Sequence, residues 1–452
     1  MTDSSTLPAE FQDEVVQILS ELGLSGYVRL LIDYPKRLDE ARMGIAVRRL
    51  MDAEPVLGCR FAVENGKAFW RRRDDLDQIA HCPVAESEDL DAATAPLLAE
   101  RFGPLGSPNV SACLIRSPNT KGDRLLLRVS HVIADGTAAL DVAKAMTDLY
   151  TRLGSDPEYR PTPNASSRDS FIWLDNFKLR DRLELVLHDL KNLPATFVRC
   201  RGLISDRETF LGDREMCEPG YAILRLDEAR TTAIDHYAHE QGATLNDICL
   251  SGFFRAFDAF CPHPAETRLE VVMPTNLRRY APLQRRPAIR NLAGTTSIRI
   301  KANIGATFED TLAMVRRETQ RHKRRLLGTE GQIATLLLAR APFARKKSLI
   351  HSQIFRSLKQ AAPPVLTYFG NTQARQFACD GVEPTGLAAF GEASPAPVFL
   401  SALVRMGDRL CFTVSYDRKI GVPRVDAFLR QLELNLPGAA APDAGLHPDS
   451  TG

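Results

Sequence analysis

The amino-acid sequence predicts an α/β protein built in two lobes. Patterns typical of helices and strands alternate through the first 150 residues, and a strand followed by two helices opens the second half. A Pro-, Ser- and Asn-rich stretch at 154–171 separates these regions and predicts a boundary between them. With 452 residues, of which 44% are hydrophobic, the chain is long enough for two lobes or for one large domain with an ample core.

Several segments of the first half carry the periodicity of regular structure. Apolar spacing predicts helices at 8–22 and 38–53, and strands at 26–33, 109–115 and 123–130. An Asn-Gly pair at 65–66, between two further apolar runs, predicts a β-hairpin. A longer helix is expected after Gly136, with Gly154 as its stop signal.

Composition divides the chain into four parts. We predict an N-terminal lobe at 1–165, a partly helical crossover at 166–215, a C-terminal lobe at 216–437 and a disordered tail at 438–452. The tail prediction depends on its content of Pro, Ala and Gly, because such a segment cannot bury enough apolar surface to fold.

The bulk composition argues against several functional classes. A net charge of only +2 argues against a nucleic-acid partner. The acidic N-terminus has no signal-peptide pattern, and no apolar run approaches the roughly 20 residues that span a bilayer. Nine cysteines without a CxxC pair argue against a disulfide framework and a zinc site, and are typical of a reducing compartment. We therefore expect a cytoplasmic protein without a bound metal.

The segment RLLLRVSHVIADGTAAL at 124–140 carries the clearest functional signal. An apolar run suited to a buried strand ends at His131, and Asp135-Gly136 follows before a predicted helix. The nine histidines of the chain would produce this HxxxDG spacing by chance about 0.04 times. An imidazole at a rigid strand end is well placed to accept a proton from a hydroxyl or an amine. His131 is therefore a candidate general base.

The same residues also permit a purely structural interpretation. His131 could be a satisfied core histidine, and Asp135 the N-cap of the following helix. Asp135 could instead hydrogen-bond within the turn or pair with an arginine across a cleft, while Gly136 would admit a tight backbone path. The strand-to-helix context favours the functional interpretation.

The motif, in a chain of this length, resembles the superfamily of thioester-dependent acyltransferases with an HxxxDG motif. This superfamily includes chloramphenicol acetyltransferase, peptide condensation domains, wax ester synthases, and alcohol and polyketide-associated acyltransferases. Further strings resemble the wax-synthase and alcohol-acyltransferase branches or later core strands: GATLNDICLSGFFRAF (242–257), EVVMPTNLRRY (270–280), NLAGTTSIRI and VLTYFGN. The resemblance implies two chloramphenicol-acetyltransferase-like lobes in a V, with a tunnel between them and His131 midway.

The resemblance also implies roles for individual residues. His131 would be the general base, Gly136 the turn residue, and Asp135 an architectural carboxylate. Arg278 is the candidate ion-pair partner of Asp135, and Asn276 stands beside it in the PTNLR string.

Two departures from the family pattern bear on the reaction. Condensation domains and wax synthases usually carry two consecutive histidines, whereas Ser130 stands at the first of these positions here. This leaves the base in place but weakens a peptide-bond assignment. The DFGWG signature of plant enzymes is absent, and LTYFGN is the nearest string. Because one chain holds both lobes, we expect a monomer.

The resemblance implies transfer of an acyl group from a coenzyme A or carrier-protein thioester to a small-molecule or lipid acceptor. Ester formation is favoured over amide formation, and no permanently bound cofactor is expected, since the thioester is a co-substrate. Two alternatives remain. The chain could be a free-standing, amide-forming condensation enzyme, or a non-catalytic protein that binds a carrier protein or an acyl chain.

Two basic stretches add candidate binding surfaces. Residues 316–325 hold six basic side chains, among them Arg324 and Arg325 as candidate donor-binding residues, and 345–347 add three more. They could meet coenzyme A phosphates or an acidic carrier protein, or they could be solvated helix faces. Between them, IATLLLARAPF could touch lipid, line an acyl channel or pack in the core. Peripheral membrane contact is therefore a possible property of this region.

Overall fold

The fold was obtained as a computed structural model that describes residues 6–103, 106–192, 217–260, 268–301, 303–324, 326–360, 363–396 and 398–438. Three parts of the sequence predictions lie outside these ranges. They are residues 193–215 of the crossover together with residue 216, Arg325, and the tail from residue 439 onward.

The first half of the chain alternates helices and strands, as its periodicity predicts. α-Helices run over Phe11–Glu21 (α1), Glu40–Ala53 (α2), Leu90–Ala99 (α3), Gly136–Ser155 (α4) and Leu179–Asn192 (α5); strands run over Thr6–Pro8 (β1), Tyr27–Tyr34 (β2), Cys59–Glu64 (β3), Lys67–Arg72 (β4), Val84–Glu86 (β5), Val110–Arg116 (β6) and Asp123–Ser130 (β7). α4 ends at Ser155, one residue after the predicted stop signal at Gly154. A side chain at this position would collide with Arg42 Nη1, which gives the glycine a packing role.

The second half contains regular elements at the segments that the sequence analysis singled out. The string at 242–257 lies mostly in a helix, and the string at 270–280 covers the end of a strand. α-Helices run over Glu228–Glu240 (α6), Leu245–Phe260 (α7), Phe308–Lys323 (α8), Gln332–Ala339 (α9), Phe343–Gln360 (α10) and Val422–Asn435 (α11); strands run over Pro219–Leu226 (β8), Arg268–Asn276 (β9), Ala293–Lys301 (β10), Val365–Thr372 (β11), Gly386–Phe390 (β12), Leu400–Met406 (β13) and Arg409–Asp417 (β14). None of the helices in the described ranges is both long and apolar enough to cross a bilayer.

The strand that leads into the HxxxDG motif is the centre of a five-stranded sheet. The strand order is β12-β2-β7-β6-β5, and β7 is antiparallel to both of its neighbours. All eight residues of β7 are buried, so its apolar residues, Leu125–Leu127 and Val129, do not alternate with exposed ones. Its buried charged residues, Asp123, Arg124 and Arg128, each form an ion pair. The edge strand β12 comes from the second half of the chain and pairs with β2. The sequence analysis did not predict this crossing.

A six-stranded sheet forms the framework of the second half. Its order is β10-β9-β11-β13-β14-β8, parallel at the two pairs that involve β11 and antiparallel elsewhere. Each large sheet covers a hydrophobic core of its own. Leu127 and Met146 lie in the first core, and Phe253 and Phe412 lie in the second. The fold class is therefore mixed α/β, as predicted.

The predicted hairpin is part of a small third sheet with the order β1-β4-β3. Its turn residues Asn65 and Gly66 have φ angles of 51° and 75°. Positive φ at both central residues is the requirement of a type I′ turn, which Asn-Gly meets at low cost.

A buried ion pair connects the two halves close to the motif. Arg29 on β2 is fully buried and donates from Nη1 to Glu392 Oε2 at 2.9 Å. Glu392 follows β12 and also accepts a hydrogen bond from Tyr27 N at 3.1 Å. Gly26, the residue before Tyr27, accepts a hydrogen bond from His131 N at 2.8 Å through its backbone carbonyl. The chain between β12 and β13 is thus tied to the strand end that carries the candidate base.

The string TLND at 244–247 has a structural role at the start of α7. The Thr244 backbone N–H and hydroxyl donate to Asp247 Oδ2 at 3.0 and 2.6 Å. Asp247 Oδ1 accepts from Thr319 Oγ1 on α8 at 2.7 Å. The motif therefore caps α7 and holds it against α8.

Candidate active site

His131 is the first residue after β7 and is held by its backbone. Its N–H donates to Gly26 O, and its side chain is half-buried. Among the described residues, Nδ1 is buried and has no hydrogen-bond partner. Nε2 is not buried in this way, so it is the ring nitrogen that remains accessible to a reacting hydroxyl or amine.

Asp135 is a fully engaged carboxylate at the start of α4. Oδ1 accepts from Ala138 N at 2.9 Å, and Oδ2 accepts from Leu292 N at 2.7 Å and from Arg278 Nη1 at 2.7 Å. Burial alone would raise the pKa of Asp135, but the Arg278 charge and the hydrogen bonds from Arg278, Ala138 and Leu292 outweigh it and lower the pKa. The carboxylate is thus both an N-cap and an ion-pair partner. Within the described part of the chain, it makes no hydrogen bond to the His131 ring.

Arg278 lies where the sequence analysis placed it, across from Asp135. It belongs to a short 3₁₀ helix at Leu277–Arg279, directly after β9. Its Nη2 donates to Arg290 O at 2.7 Å, which fixes the guanidinium from a second side. Asn276 caps the 3₁₀ helix by accepting from Arg278 N at 3.0 Å, and donates to Thr137 Oγ1 at 3.3 Å.

Asn291 contacts the motif directly and was missed by the sequence analysis as a site residue. It is buried, and Nδ2 donates to His131 O and to Val132 O, both at 2.9 Å. The next residue, Leu292, supplies the N–H that binds Asp135. The segment was recognised only as a core strand, NLAGTTSIRI. Asn291 is the polar first residue of that string, two positions before β10 begins at Ala293, but nothing local indicates which turn it meets.

An apolar cluster supports the two segments that reach the motif. Leu277 precedes Arg278, Leu292 follows Asn291, and both are buried against Trp173 and Phe177 of the linker. Trp173 and Phe177 also make an edge-to-face contact at 5.3 Å between ring centroids. The linker after the first lobe therefore packs beneath the partners of Asp135.

Glycine is required at position 136 because a larger side chain would not fit, and not because the backbone dihedral angles there demand glycine. It is the first residue of α4, and it is not among the glycines with positive φ. A Cβ at this position would lie 2.8 Å from Phe369 Cε1. Phe369 lies in β11 beside an irregular register between Tyr368 and Asn371, where Gly370 has a φ of 91°. The ring of Phe369 thus packs against the start of α4, next to the ion pair.

The basic segment on α8 is not joined to the motif by any contact described in this chain. Arg317, Arg321 and Arg324 are spaced so that they share one helix face, and they line a surface groove of about 670 Å³. Arg316 lies beside them but donates to the Gln241 and Gly242 carbonyls at the end of α6.

One further residue of the segment, His322, lies in the interior of the protein. His322 is buried between Glu318 and Glu330, so it is not part of a solvated face. Burial would lower the pKa of His322, but the two carboxylates outweigh it and raise the pKa. Within the described ranges, no group of three or more His, Cys, Asp or Glu side chains is arranged to hold a metal ion.

Comparison with known proteins identifies the fold. No protein-family model and no curated protein matches the sequence. The first condensation domain of the calcium-dependent antibiotic synthetase superimposes with a TM-score of 0.68 at 15% identity, over 96% of this chain and 98% of that one. Polyketide synthase associated protein 5 from Mycobacterium tuberculosis gives 0.63 at 14% identity, over 95% and 98%. The EpoB cyclization-docking bidomain from Sorangium cellulosum gives 0.61 at 13% identity, over 95% and 85%.

The chain therefore has the fold of condensation domains and of polyketide synthase associated protein 5. The resemblance found in the sequence is confirmed at the level of the fold. At these identities the likeness establishes architecture, so the argument for function depends on the residues of the site.

The ion pair predicts a loss of stability in Asp135→Ala. Removing one member of a buried pair costs about 3–5 kcal/mol. We expect the free energy of unfolding to fall by about 3 kcal/mol, the lower end of this range. The reason is that the Arg278 side chain is 21% exposed, so water can partly hydrate it after its partner is lost. Asp227→Ala is the matched control, because Asp227 caps α6 through Arg230 N at 2.8 Å and should cost only about 1 kcal/mol.

The ion pair also predicts a pH dependence of stability. Because the folded pKa of Asp135 is lowered, its contribution is complete above the unfolded pKa, about 3.9, and is lost as the pH falls through the folded value. Chemical denaturation at several pH values would measure both effects. A loss in Asp135→Ala no larger than in Asp227→Ala would contradict the account.

Proposed function

We propose that this chain is an acyltransferase that moves an acyl group from a thioester to a hydroxyl or amine, with His131 as the general base. The observation that carries the proposal is the setting of His131. An accessible ring nitrogen stands at the end of a buried strand, and the backbone around it is held from both halves of the chain. The fold supports the proposal, since the structures that share it include condensation domains of peptide synthetases.

The proposed reaction needs one base and no covalent enzyme intermediate. His131 Nε2 accepts the proton of the acceptor hydroxyl or amine while that nucleophile attacks the thioester carbonyl. The resulting tetrahedral species collapses, the carbon–sulfur bond breaks, and the imidazolium returns the proton to the departing thiolate. Asp135 does not take part in proton transfer, because Arg278 and two backbone N–H groups occupy its oxygens.

The proposed donor is acyl-coenzyme A or an acyl group on the phosphopantetheine of a carrier protein. The proposed acceptor is a small molecule or a lipid, with ester formation favoured because the strings at 242–257 and 270–280 resemble the wax-synthase and alcohol-acyltransferase branches. A cytoplasmic location and a monomeric state remain predictions from the sequence.

A second candidate function is amide formation as a free-standing condensation enzyme. The observation that favours it is the similarity to a condensation domain of the calcium-dependent antibiotic synthetase, with TM-scores of 0.68 and 0.69. Incubating the protein with acyl-coenzyme A and acyl-carrier thioesters, each against alcohols and amines, separates the two functions. Free thiol reports turnover, and mass spectrometry distinguishes ester from amide products.

Loss of the base should abolish most of the turnover. His131→Ala is expected to lower kcat by about 10²–10⁴-fold, the usual contribution of general base catalysis, while the thermal unfolding temperature stays close to wild type. His236→Ala is the control, because His236 is an exposed histidine on α6 with 73% of its side chain accessible. Thiol release and product mass measure the effect, with chemistry shown to be rate-limiting. Near-wild-type turnover in His131→Ala would rule out the mechanism.

Asn291 is proposed to position the base. Asn291→Leu keeps the volume but leaves the His131 and Val132 carbonyls without their donor, a penalty of about 1–3 kcal/mol for each buried group. We expect kcat to fall by at least about tenfold, because the His131 ring would shift from its position. Both KM values should change little, because the surfaces that bind the donor and the acceptor stay in place. Asn109→Leu is the matched control, since Asn109 Nδ2 also donates to two buried carbonyls, Val56 O at 3.0 Å and Cys59 O at 2.8 Å. Equal kcat losses in both variants would indicate a general structural effect.

The basic face of α8 is proposed to bind the donor. The sequence analysis named Arg324 and Arg325, and the groove adds Arg317 and Arg321. Arg321→Gln with Arg324→Gln should raise the donor KM, leave the acceptor KM and kcat unchanged, and lose its effect as salt rises, because exposed charges are screened beyond about 8 Å at physiological ionic strength.

The control for the α8 variant neutralises two exposed cations elsewhere on the surface. Arg418→Gln with Arg430→Gln removes the same charge from the region of α11. Steady-state kinetics at low and high salt with each donor class would measure the difference. A donor KM equal to wild type at low salt would leave the segment as a solvated helix face.

A further inference from the structure

Helix α5 presents an apolar stripe to solvent. The exposed fractions of Leu179, Leu183, Val186 and Leu187 are 76%, 56%, 40% and 54%. At 3.6 residues per turn, these four positions fall within about 100° of the helix circumference. Exposed apolar side chains scattered singly need no explanation, but a contiguous stripe marks an interaction surface.

The opposite side of α5 fixes the helix in place. Leu185 is 3% exposed and lies in the apolar cluster with Trp173 and Leu292. Asp189 accepts from Gly331 N at 2.9 Å and from Ile333 N at 3.0 Å, so it caps α9. The stripe therefore faces outward while the helix is held from its other side.

Basic residues border the stripe. On the helical projection, Arg180 lies on one side of the four apolar residues and Arg182 on the other, and both are exposed. Of the acidic residues of α5, Asp181 lies on the side opposite the stripe, Asp189 caps α9, and the exposed Glu184 lies beyond Arg180.

Exposed leucines also lie on α9, which Asp189 caps, and on α10, which packs against α1. Leu337 of α9 is 67% exposed and Leu349 of α10 is 49% exposed. Residues 331–360 contain six basic residues and no Asp or Glu. Two of the basic residues, Lys346 and Lys347, pair with Glu14 and Glu21 of α1, whereas Arg340 and Arg345 are exposed.

We propose that the outward face of α5, together with Leu337, docks on an anionic lipid bilayer surface. An apolar helical stripe bordered by cations is the arrangement of interfacial helices, in which aliphatic side chains enter the headgroup boundary and basic residues meet anionic lipids. The stripe is entirely aliphatic, whereas protein interfaces are enriched in Tyr, Trp and Phe. The proposal goes beyond the acyl-transfer reaction, and its test needs no turnover.

The test is co-sedimentation of the full chain with vesicles. One set contains phosphatidylglycerol and phosphatidylcholine, and the other contains phosphatidylcholine alone. Leu183→Glu with Leu187→Glu should lower the partition coefficient on anionic vesicles by at least about tenfold. The change removes two leucines that would be buried in the bilayer and adds two negative charges. Leu283→Glu with Leu434→Glu is the matched control, since these leucines are 104% and 48% exposed and lie outside the face.

Two further measurements separate a membrane from other occupants. Arg180→Gln with Arg182→Gln should weaken binding at low salt, and the difference from wild type should shrink as salt rises. The thermal unfolding temperature of the leucine variant should equal that of its control. Wild-type protein that stays in the supernatant with anionic vesicles would overturn the proposal, as would a leucine variant that binds like wild type. A leucine variant that melts several degrees lower would overturn it too, because the face would then be covered by protein.

Discussion

The buried ion pair between Asp135 and Arg278 is the constraint on which the site depends. Its two members are 143 positions apart, and each has a second anchor. Asp135 starts α4 by capping it, and Arg278 is fixed by the Arg290 carbonyl. Because a buried carboxylate without a partner is costly, the turn between β7 and α4 can take this form only when the second half is in place. Asp135 therefore acts through architecture, and in the proposed reaction proton transfer falls to His131.

The second half of the chain supplies most of the partners of this turn. Asn291 holds the carbonyls of His131 and Val132, Leu292 N binds Asp135, and Phe369 packs against Gly136. The first half contributes Gly26 O, which fixes the His131 N–H. The His131 backbone is thus held from both sides, which fixes the point from which its ring projects, while Nδ1 has no hydrogen bond from the described residues. Such preorganisation is what general base catalysis requires of its surroundings.

The sequence predicted those parts of the site that have a local or motif-level signal. The HxxxDG spacing indicated His131 and Asp135, and the PTNLR string indicated Arg278. Asn291, Phe369 and the strand exchange by β12 depend on long-range pairing, which leaves no periodicity in a single sequence. The sequence analysis explained Gly136 by a tight backbone path, whereas the structure shows that the Phe369 ring leaves no space for a side chain. This contact is also long-range, because Phe369 comes from a distant strand. The exposed stripe of α5 was missed since helical periodicity does not tell which face is buried.

A double-mutant cycle on Asp135 and Arg278 tests the central claim most directly. Asp135→Asn, Arg278→Met and the double variant would be compared with wild type in the free energy of unfolding and in the rate of thiol release. The account predicts a coupling energy of about 1–3 kcal/mol in stability, with a parallel non-additive loss of turnover, because either single change leaves the other group uncompensated. Effects that add within about 0.3–0.5 kcal/mol would show that the two side chains act independently and would contradict the account.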